Sequence, residues 1–354
     1  MTASLVLTAL AAAAVADFQQ IVDLFRDEQD IPGVSAVVTI RGEELFAGGS
    51  GMADLETGRE ITADTILYAG SLSKVLTAVL ALQLADRGSL SLQDSVADIA
   101  VESVKNTDGI TVHHLLTHSS GLDREGDFGY WFSGTFPDQP ALTDYLTRSE
   151  LRSVPGEQVR YANIGYAALG AVIEDASGEA YADALNSRVL QPLKMSSTGG
   201  PGPVPDVAAG YTPVGRVIPN EDRPFAGVGK AVNGRHVREY HNAGAMTPAF
   251  GLYSSARDLG RLARFIFGYN GEDLISPELR RLMLTPQVPG RGIGLRIGEL
   301  NGRKIARHDG WFAAHRSHLL LDLNAGIGVV VLANSDSASP DEIAEALLAE
   351  ALRQ

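Results

Sequence analysis

The sequence predicts an α/β protein of the α+β type: an antiparallel sheet flanked by helices, formed by both chain ends, with a mainly helical domain inserted between them. Three observations predict it. Residues 34–51 read as a hairpin, residues 293–334 read as consecutive antiparallel strands, and residues 89–240 between them hold short helical pieces and Gly/Pro-rich loops. No internal repeat is present, so the strands of the two ends are expected in one sheet with helices packed on its faces. The 354 residues allow about two domains. They are expected as residues 17–88 plus 241–354, a discontinuous α/β domain, and residues 89–240, the insert.

Each element has a local cause. Phe18, Ile21, Val22, Leu24 and Phe25 recur at helical spacing until Pro32 and Gly33 end the helix. Val34 to Ile40 is β-branched and apolar, Arg41-Gly42-Glu43 has turn chemistry, and Glu44 to Gly51 is the returning strand. A helix starts near Ser71 and runs through Val75, Leu76, Val79, Leu80, Leu82 and Leu84 to Gly88; apolar nearly all round, it is expected to be buried. Leu142 to Thr147 and Ile164 to Ser177 are the clearest helical pieces of the insert. Ser254-Ser255-Ala256-Arg257-Asp258 caps an amphipathic helix that reaches Phe267. Strands are expected over Ile293–Ile297, Lys304–Asp309, Ala313–Leu321 and Ile327–Asn334, joined by Gly- and Asn-containing turns, before a closing helix from Pro340 to Leu352.

Composition removes whole classes of function. Lys and Arg number 29 against 43 Asp and Glu, a net charge of −14 with no basic run, which excludes a groove for nucleic acid. The absence of Cys excludes disulfides, thiolate metal sites and a cysteine nucleophile, so a covalent catalyst must use oxygen or nitrogen. Residues 1–16 are small and apolar, and Ala14-Val15-Ala16 before Asp17 has the form of a signal-peptidase site, pointing to a periplasmic or secreted protein. Lacking a basic start, the segment also reads as an Ala-rich helix retained in a cytoplasmic protein. It falls short of the ~20 apolar residues of a spanning helix, so no transmembrane anchor is expected.

Three constellations carry chemistry. Ser71-Leu72-Ser73-Lys74 places a hydroxyl and an amine one helical turn apart, where the amine can activate the serine and the helix start offers N–H donors to an oxyanion. Tyr161-Ala162-Asn163 precedes the helix from Ile164; a cationic Lys nearby is expected to ease loss of the Tyr161 proton, and the Asn163 amide to orient substrate. His308-Asp309-Gly310-Trp311 ends a strand, where Gly310 permits close approach to the strand edge and the Trp311 N–H can join that of Ser71 in an oxyanion hole.

This ordered trio resembles the serine β-lactamase and penicillin-binding-protein superfamily, in particular the group of class C β-lactamases, DD-carboxypeptidases, D-aminopeptidases and family VIII esterases. The likeness extends to Ile110–Leu122, Pro155–Gly170, Gly251–Leu259 and Gly328–Asn334. It implies a β-lactamase/transpeptidase-like fold and a hydrolase that forms a Ser71 acyl-enzyme without metal or organic cofactor. Ser71 is then the nucleophile, Lys74 its activator, Tyr161 the general acid/base and Asn163 a ligand of the substrate amide. His308, Gly310 and Trp311 line the substrate, with the Ser71 and Trp311 amides as oxyanion donors.

His308 departs from the family's Lys-Thr-Gly triplet. An imidazole with an ordinary pKa near 6.5 is a weaker fixed charge than Lys, which implies weak binding of substrate carboxylates. The resemblance therefore favours small carboxylic esters or D-amino-acid peptides, with weak β-lactam hydrolysis. An efficient β-lactamase is one alternative; a penicillin-binding sensor acylated without turnover is another.

Other residues have plainer readings. His114 and His118 have the i, i+4 spacing of metal ligands, but no H-E-x-x-H accompanies them and no metal is expected. Tyr130-Trp131-Phe132 reads equally as a pocket wall or as packing for the insert. His315 and Arg316 read as strand residues within reach of substrate.

Overall fold

A computed structural model describes residues 17–99, 109–200, 206–214, 228–238, 242–271 and 274–354. The expected export segment, residues 1–16, lies outside these. The N-terminal part comprises α1 (17–28), β1 (Gly33–Ile40), β2 (Glu43–Asp54), β3 (Arg59–Glu60), β4 (Leu67–Tyr68), a 3₁₀ turn Gly70–Leu72 and α2 (Ser73–Asp86). The middle holds α3 (Val96–Ile99), α4 (Val112–Leu116), α5 (Tyr130–Ser133), α6 (Gln139–Arg148), α7 (Asn163–Ser177) and α8 (Tyr181–Leu185). β5 (Tyr211–Pro213), β6 (Val228–Val232) and β7 (Arg235–Arg238) follow. The C-terminal part contains β8 (Tyr253–Ser254), α9 (Ala256–Phe267), α10 (Pro277–Leu284), β9 (Arg296–Leu300), β10 (Arg303–Phe312), β11 (His315–Asp322), β12 (Ile327–Ala333) and α11 (Pro340–Ala351).

Both chain ends build one seven-stranded sheet in the order β3-β2-β1-β12-β11-β10-β9, with antiparallel neighbours throughout. The seam is β1 against β12, from Val34 opposite Ala333 to Ile40 opposite Ile327. Period-two alternation divides β1 between two cores. Val34, Ala36 and Val38 pack with Phe18, Val22, Ile343 and Leu347 of α1 and α11. Val37, Val330 and Leu332 face the core that holds α2, α7 and α9. α2 is buried on every side from Ser73 to Leu84, as its unbroken apolar text requires.

Three expectations are corrected. The middle of the chain is not helices and loops alone, because β5, β7 and β6 form a small sheet; strands this short, among loop residues, leave little periodic signal. β10 and β11 are joined not by Gly or Asn but by Ala313-Ala314, both left-handed at φ 50° and 59°, the conformation a two-residue hairpin turn needs. β9 begins at Arg296 rather than Ile293, since Ile293 and Leu295 turn into the core beside α2. Among the described residues no helix is long and apolar enough to cross a membrane.

Candidate active site

Ser71 sits in the 3₁₀ turn that leads into α2, with Lys74 one turn on. The turn is anchored by Ser73, whose hydroxyl donates to Gly70 O at 2.7 Å and accepts from Leu252 N at 3.0 Å. Lys74 is wholly buried, and its Nζ lies 3.3 Å from Ser71 Oγ, 2.7 Å from Asn163 Oδ1 and 2.6 Å from Ala249 O. Ala249 belongs to a π-helical turn, Thr247–Gly251, which directs its carbonyl at the amine. Burial pushes Lys74 well below the usual lysine range; the Glu125 carboxylate opposes this, and the Arg124 and Arg291 guanidiniums add to it.

Tyr161 meets Ser71 from the other side, its hydroxyl donating to Ser71 Oγ at 2.8 Å. The phenol is held by His118, which leaves α4 in a left-handed conformation at φ 60°, stacks on the Tyr161 ring at 4.4 Å and accepts from Ala162 N at 3.1 Å. The Lys74 amine and the Arg124 and Arg291 guanidiniums stand 4.8, 5.5 and 5.6 Å from the ring centre. Burial nevertheless pushes the phenol up to about 12, against the pull of the Ser71 hydrogen bond and the two guanidiniums. The expected easing of proton loss is thus reversed: Tyr161 is a neutral donor near pH 7. Asn163, the first residue of α7, is buried, with Nδ2 2.9 Å from both oxygens of Glu125.

β10 supplies the remaining edge. His308 and Gly310 alternate inward, while Asp309 points across to His318 Nδ1 at 2.8 Å and toward Arg296 at 3.8 Å. Phe312 and His315 close the two-residue hairpin, so ladder alternation turns the Trp311 N–H away from β11. That edge faces the Ser71 turn closely enough that two glycines are obligatory. A Cβ on Gly70, itself at φ 55°, would lie 2.3 Å from Trp311 N. One on Gly310 would lie 2.0 Å from Ser317 Oγ, 2.3 Å from Ala69 O and 3.2 Å from Ser71 N. The Trp311 indole is pinned by a 2.5 Å hydrogen bond to Asp336.

His308 is buried, its Nδ1 2.8 Å from the Asp309 carbonyl. Burial, and then the charge of Lys74, push the imidazole down to about 3, so it is neutral near pH 7. The weak fixed charge expected at this position is thus absent near pH 7. A fixed cation arrives instead from Arg291, on a turn outside the three motifs; it is half-buried and makes no ion pair among the described residues.

The other named residues fall as follows. Helix α4 ends before His118, which breaks the i, i+4 face, and no metal-holding cluster occurs among the described residues. Trp131 lies 5.1 Å from Trp311, 5.2 Å from Phe250 and 5.1 Å from Tyr130, forming an aromatic wall beside the Ser71 turn. The Phe132 side chain is outside the described residues. His315 is occupied by the carbonyls of Ala313 and Ala208 at 2.9 and 3.0 Å, and Arg316 is half-buried on β11. Glu125, Arg291 and Ala249 were not legible as site residues, since no local spacing marks them.

A family model described as Beta-lactamase matches residues 18–353. Esterase EstB of Burkholderia gladioli is 28% identical over 365 residues, covering 92% of this chain and 91% of that protein. Penicillin-binding protein 4 of Amycolatopsis lactamdurans is 34% identical over 185 residues, 51% of this chain and 48% of that one. Among solved structures, the octameric penicillin-binding protein homologue from Pyrococcus abyssi superposes with a TM-score of 0.79 at 27% identity, covering 96% of this chain and 78% of that one. The D-amino acid amidase from Ochrobactrum anthropi complexed with L-phenylalanine amide shares the fold, with a TM-score of 0.82 at 22% identity over 97% of this chain and 99% of that one. With its sheet built from both ends and Ser71, Lys74 and Tyr161 brought together beside β10, the chain belongs to the beta-lactamase family and is a hydrolase of the serine β-lactamase and penicillin-binding-protein superfamily.

Proposed function

We propose that the chain hydrolyses ester or amide bonds of small molecules through an acyl-enzyme on Ser71. The observation that carries this is the set of partners around Lys74. A neutral amine has two N–H bonds and one lone pair; Asn163 Oδ1 and Ala249 O take the two hydrogens, and the lone pair is left to face Ser71 Oγ. Ser71 gives its proton to Lys74 as Oγ attacks the carbonyl carbon. The carbonyl electron pair moves onto oxygen between the Ser71 and Trp311 amides, a pair of donors of the kind worth roughly 10²–10³-fold each. Tyr161, protonated at rest, donates to the leaving group as the tetrahedral intermediate collapses. Water then releases the acyl group by the reverse sequence. Each step uses side chains and backbone amides of this chain.

The wall of Trp131 and Trp311 beside Ser71 favours an apolar acyl group, as in a small carboxylic ester. Arg291 favours a second substrate class, D-amino-acid peptides ending in a carboxylate, because it is a permanent cation on the Tyr161 side of the site. Efficient β-lactam turnover ranks below both. The test is labelling with a fluorophosphonate followed by mass spectrometry of the adduct. A label on Ser71 that Ser71→Ala abolishes is expected; labelling retained at another serine would sink the assignment. Penicillin and a p-nitrophenyl ester then separate turnover, a burst followed by steady product release, from a sensor's persistent adduct.

A further inference from the structure

Glu125 is a carboxylate at the site that none of the three motifs accounts for. Both its oxygens lie 2.9 Å from Asn163 Nδ2, Tyr130 donates its hydroxyl to it, and Arg124 Nε stands 3.1 Å away. An amide side chain has a donor end and an acceptor end, and its neighbours decide which way it is turned. Here the neighbours leave one choice. A carboxylate only accepts, so Nδ2 goes to both oxygens of Glu125 and Oδ1 is left to accept from Lys74, 2.7 Å away.

We infer that Glu125 is a positioning residue for proton transfer from Ser71, acting through the Asn163 amide. The inference rests on the acyl-enzyme reading above. With Oδ1 held toward Lys74 and Ala249 O fixed by its π turn, both N–H bonds of the neutral amine are taken, and its lone pair has Ser71 Oγ before it at 3.3 Å. Without the carboxylate, the amide is free to present its NH₂ group to Lys74, which competes with Ser71 for that lone pair.

Glu125 also bears on the charge of Lys74. Arg124 and Arg291 face Lys74 as cations, and Glu125 faces it as an anion. Tyr161 and Tyr166 present ring faces at 4.8 and 5.6 Å, with both phenols held protonated by burial. His118 and His308 are held neutral near pH 7 by burial. Activity requires neutral Lys74 and so rises with pH through its titration. A neighbouring negative charge favours the ammonium, and its removal moves that rise to lower pH.

The experiment compares Glu125→Gln, which keeps an acceptor for Asn163 but no charge, with Glu125→Ala, which keeps neither. The readouts are kcat and kcat/KM for a p-nitrophenyl ester, and the rate of fluorophosphonate labelling of Ser71, from about pH 5 to about pH 9. The acid limb is expected at lower pH in both variants, with plateau kcat falling on the order of 10²-fold in Glu125→Ala and less in Glu125→Gln. A residue that merely packs the loop would lower stability and kcat yet leave the limb in place. An unmoved limb in soluble Glu125→Gln whose Ser71 still labels overturns the role of Glu125 alone. Failure of the parent enzyme's Ser71 to label removes the acyl-enzyme reading, and this inference with it.

Discussion

The Tyr161 hydroxyl donates to Ser71 Oγ at 2.8 Å while Lys74 approaches the same oxygen at 3.3 Å, so one serine oxygen lies between a phenol and an amine. Burial moves the two partners in opposite directions, the phenol up to about 12 and the amine well down. Two groups whose proton affinities are driven apart this way can divide the work, and in the proposed mechanism Lys74 is the resting base and Tyr161 the resting acid.

Tyr161→Phe removes that acid and leaves the ring stacked on His118. A general acid contributes roughly 10²–10⁴-fold, but only where the leaving group needs a proton. Acylation of Ser71 by a simple alkyl ester is therefore expected to slow by about that factor, and acylation by a p-nitrophenyl ester, whose leaving group departs as a stable anion, by much less, while deacylation, which uses Tyr161 on water, slows alike for both. Paired acylation kinetics on the two esters check this. Equal losses of acylation rate on both would mean that Tyr161 acts on Ser71 rather than on the leaving group.

Lys74→Arg puts a permanent cation in place of the amine and so removes the base, since a guanidinium does not deprotonate in proteins. Fluorophosphonate labelling of Ser71 is expected to drop to background. In the parent, labelling should rise with pH as Lys74 loses its proton. His308, pushed down to about 3, should add no step between about pH 5 and about pH 8. A His308→Asn variant that erased an inflection in that window would show the imidazole titrating there after all.

Gly310→Ala probes the meeting of β10 with the Ser71 turn. The added Cβ would have to share space with Ser317 Oγ at 2.0 Å and the Ala69 carbonyl at 2.3 Å, and the backbone neighbour cannot rotate aside. Separating the edge from the turn draws the Trp311 amide from the Ser71 amide. The loss of one oxyanion donor predicts a fall in kcat of roughly 10²–10³-fold with little change in KM. Thermal unfolding measured alongside should show a fold that persists with a lower Tm.

The three motifs were legible because each is local: Ser71 and Lys74 share a helical turn, Tyr161 and Asn163 flank a helix start, and His308 and Gly310 share a strand face. The sheet was legible for a similar reason, as β1 and β12 are Val- and Ile-rich runs that both faces bury. What tunes the site comes from further away. Ala249 acts through a backbone carbonyl, which side-chain identity does not announce. Glu125 and Arg291 reach Lys74 and Tyr161 from loops without periodicity. The weak charge of His308 was legible, but not how far burial pushes its imidazole down, because burial is a property of the whole fold.

Arg291 decides between the two proposed substrate classes. Its guanidinium stands 5.6 Å from the Tyr161 ring, half-buried and without an ion pair among the described residues, so a substrate carboxylate arriving there would meet a permanent cation. A charge-assisted hydrogen bond is worth about 1.5–3 kcal/mol, or roughly 10- to 100-fold in affinity. Arg291→Ala is therefore expected to raise KM for a D-Ala-D-Ala peptide by about that factor and to change KM for a neutral p-nitrophenyl ester far less. Steady-state kinetics on both substrates settle it. A comparable loss in kcat on both, with KM unmoved, would mean that Arg291 serves Tyr161 rather than the carboxylate, and the ester would then stand as the favoured substrate class.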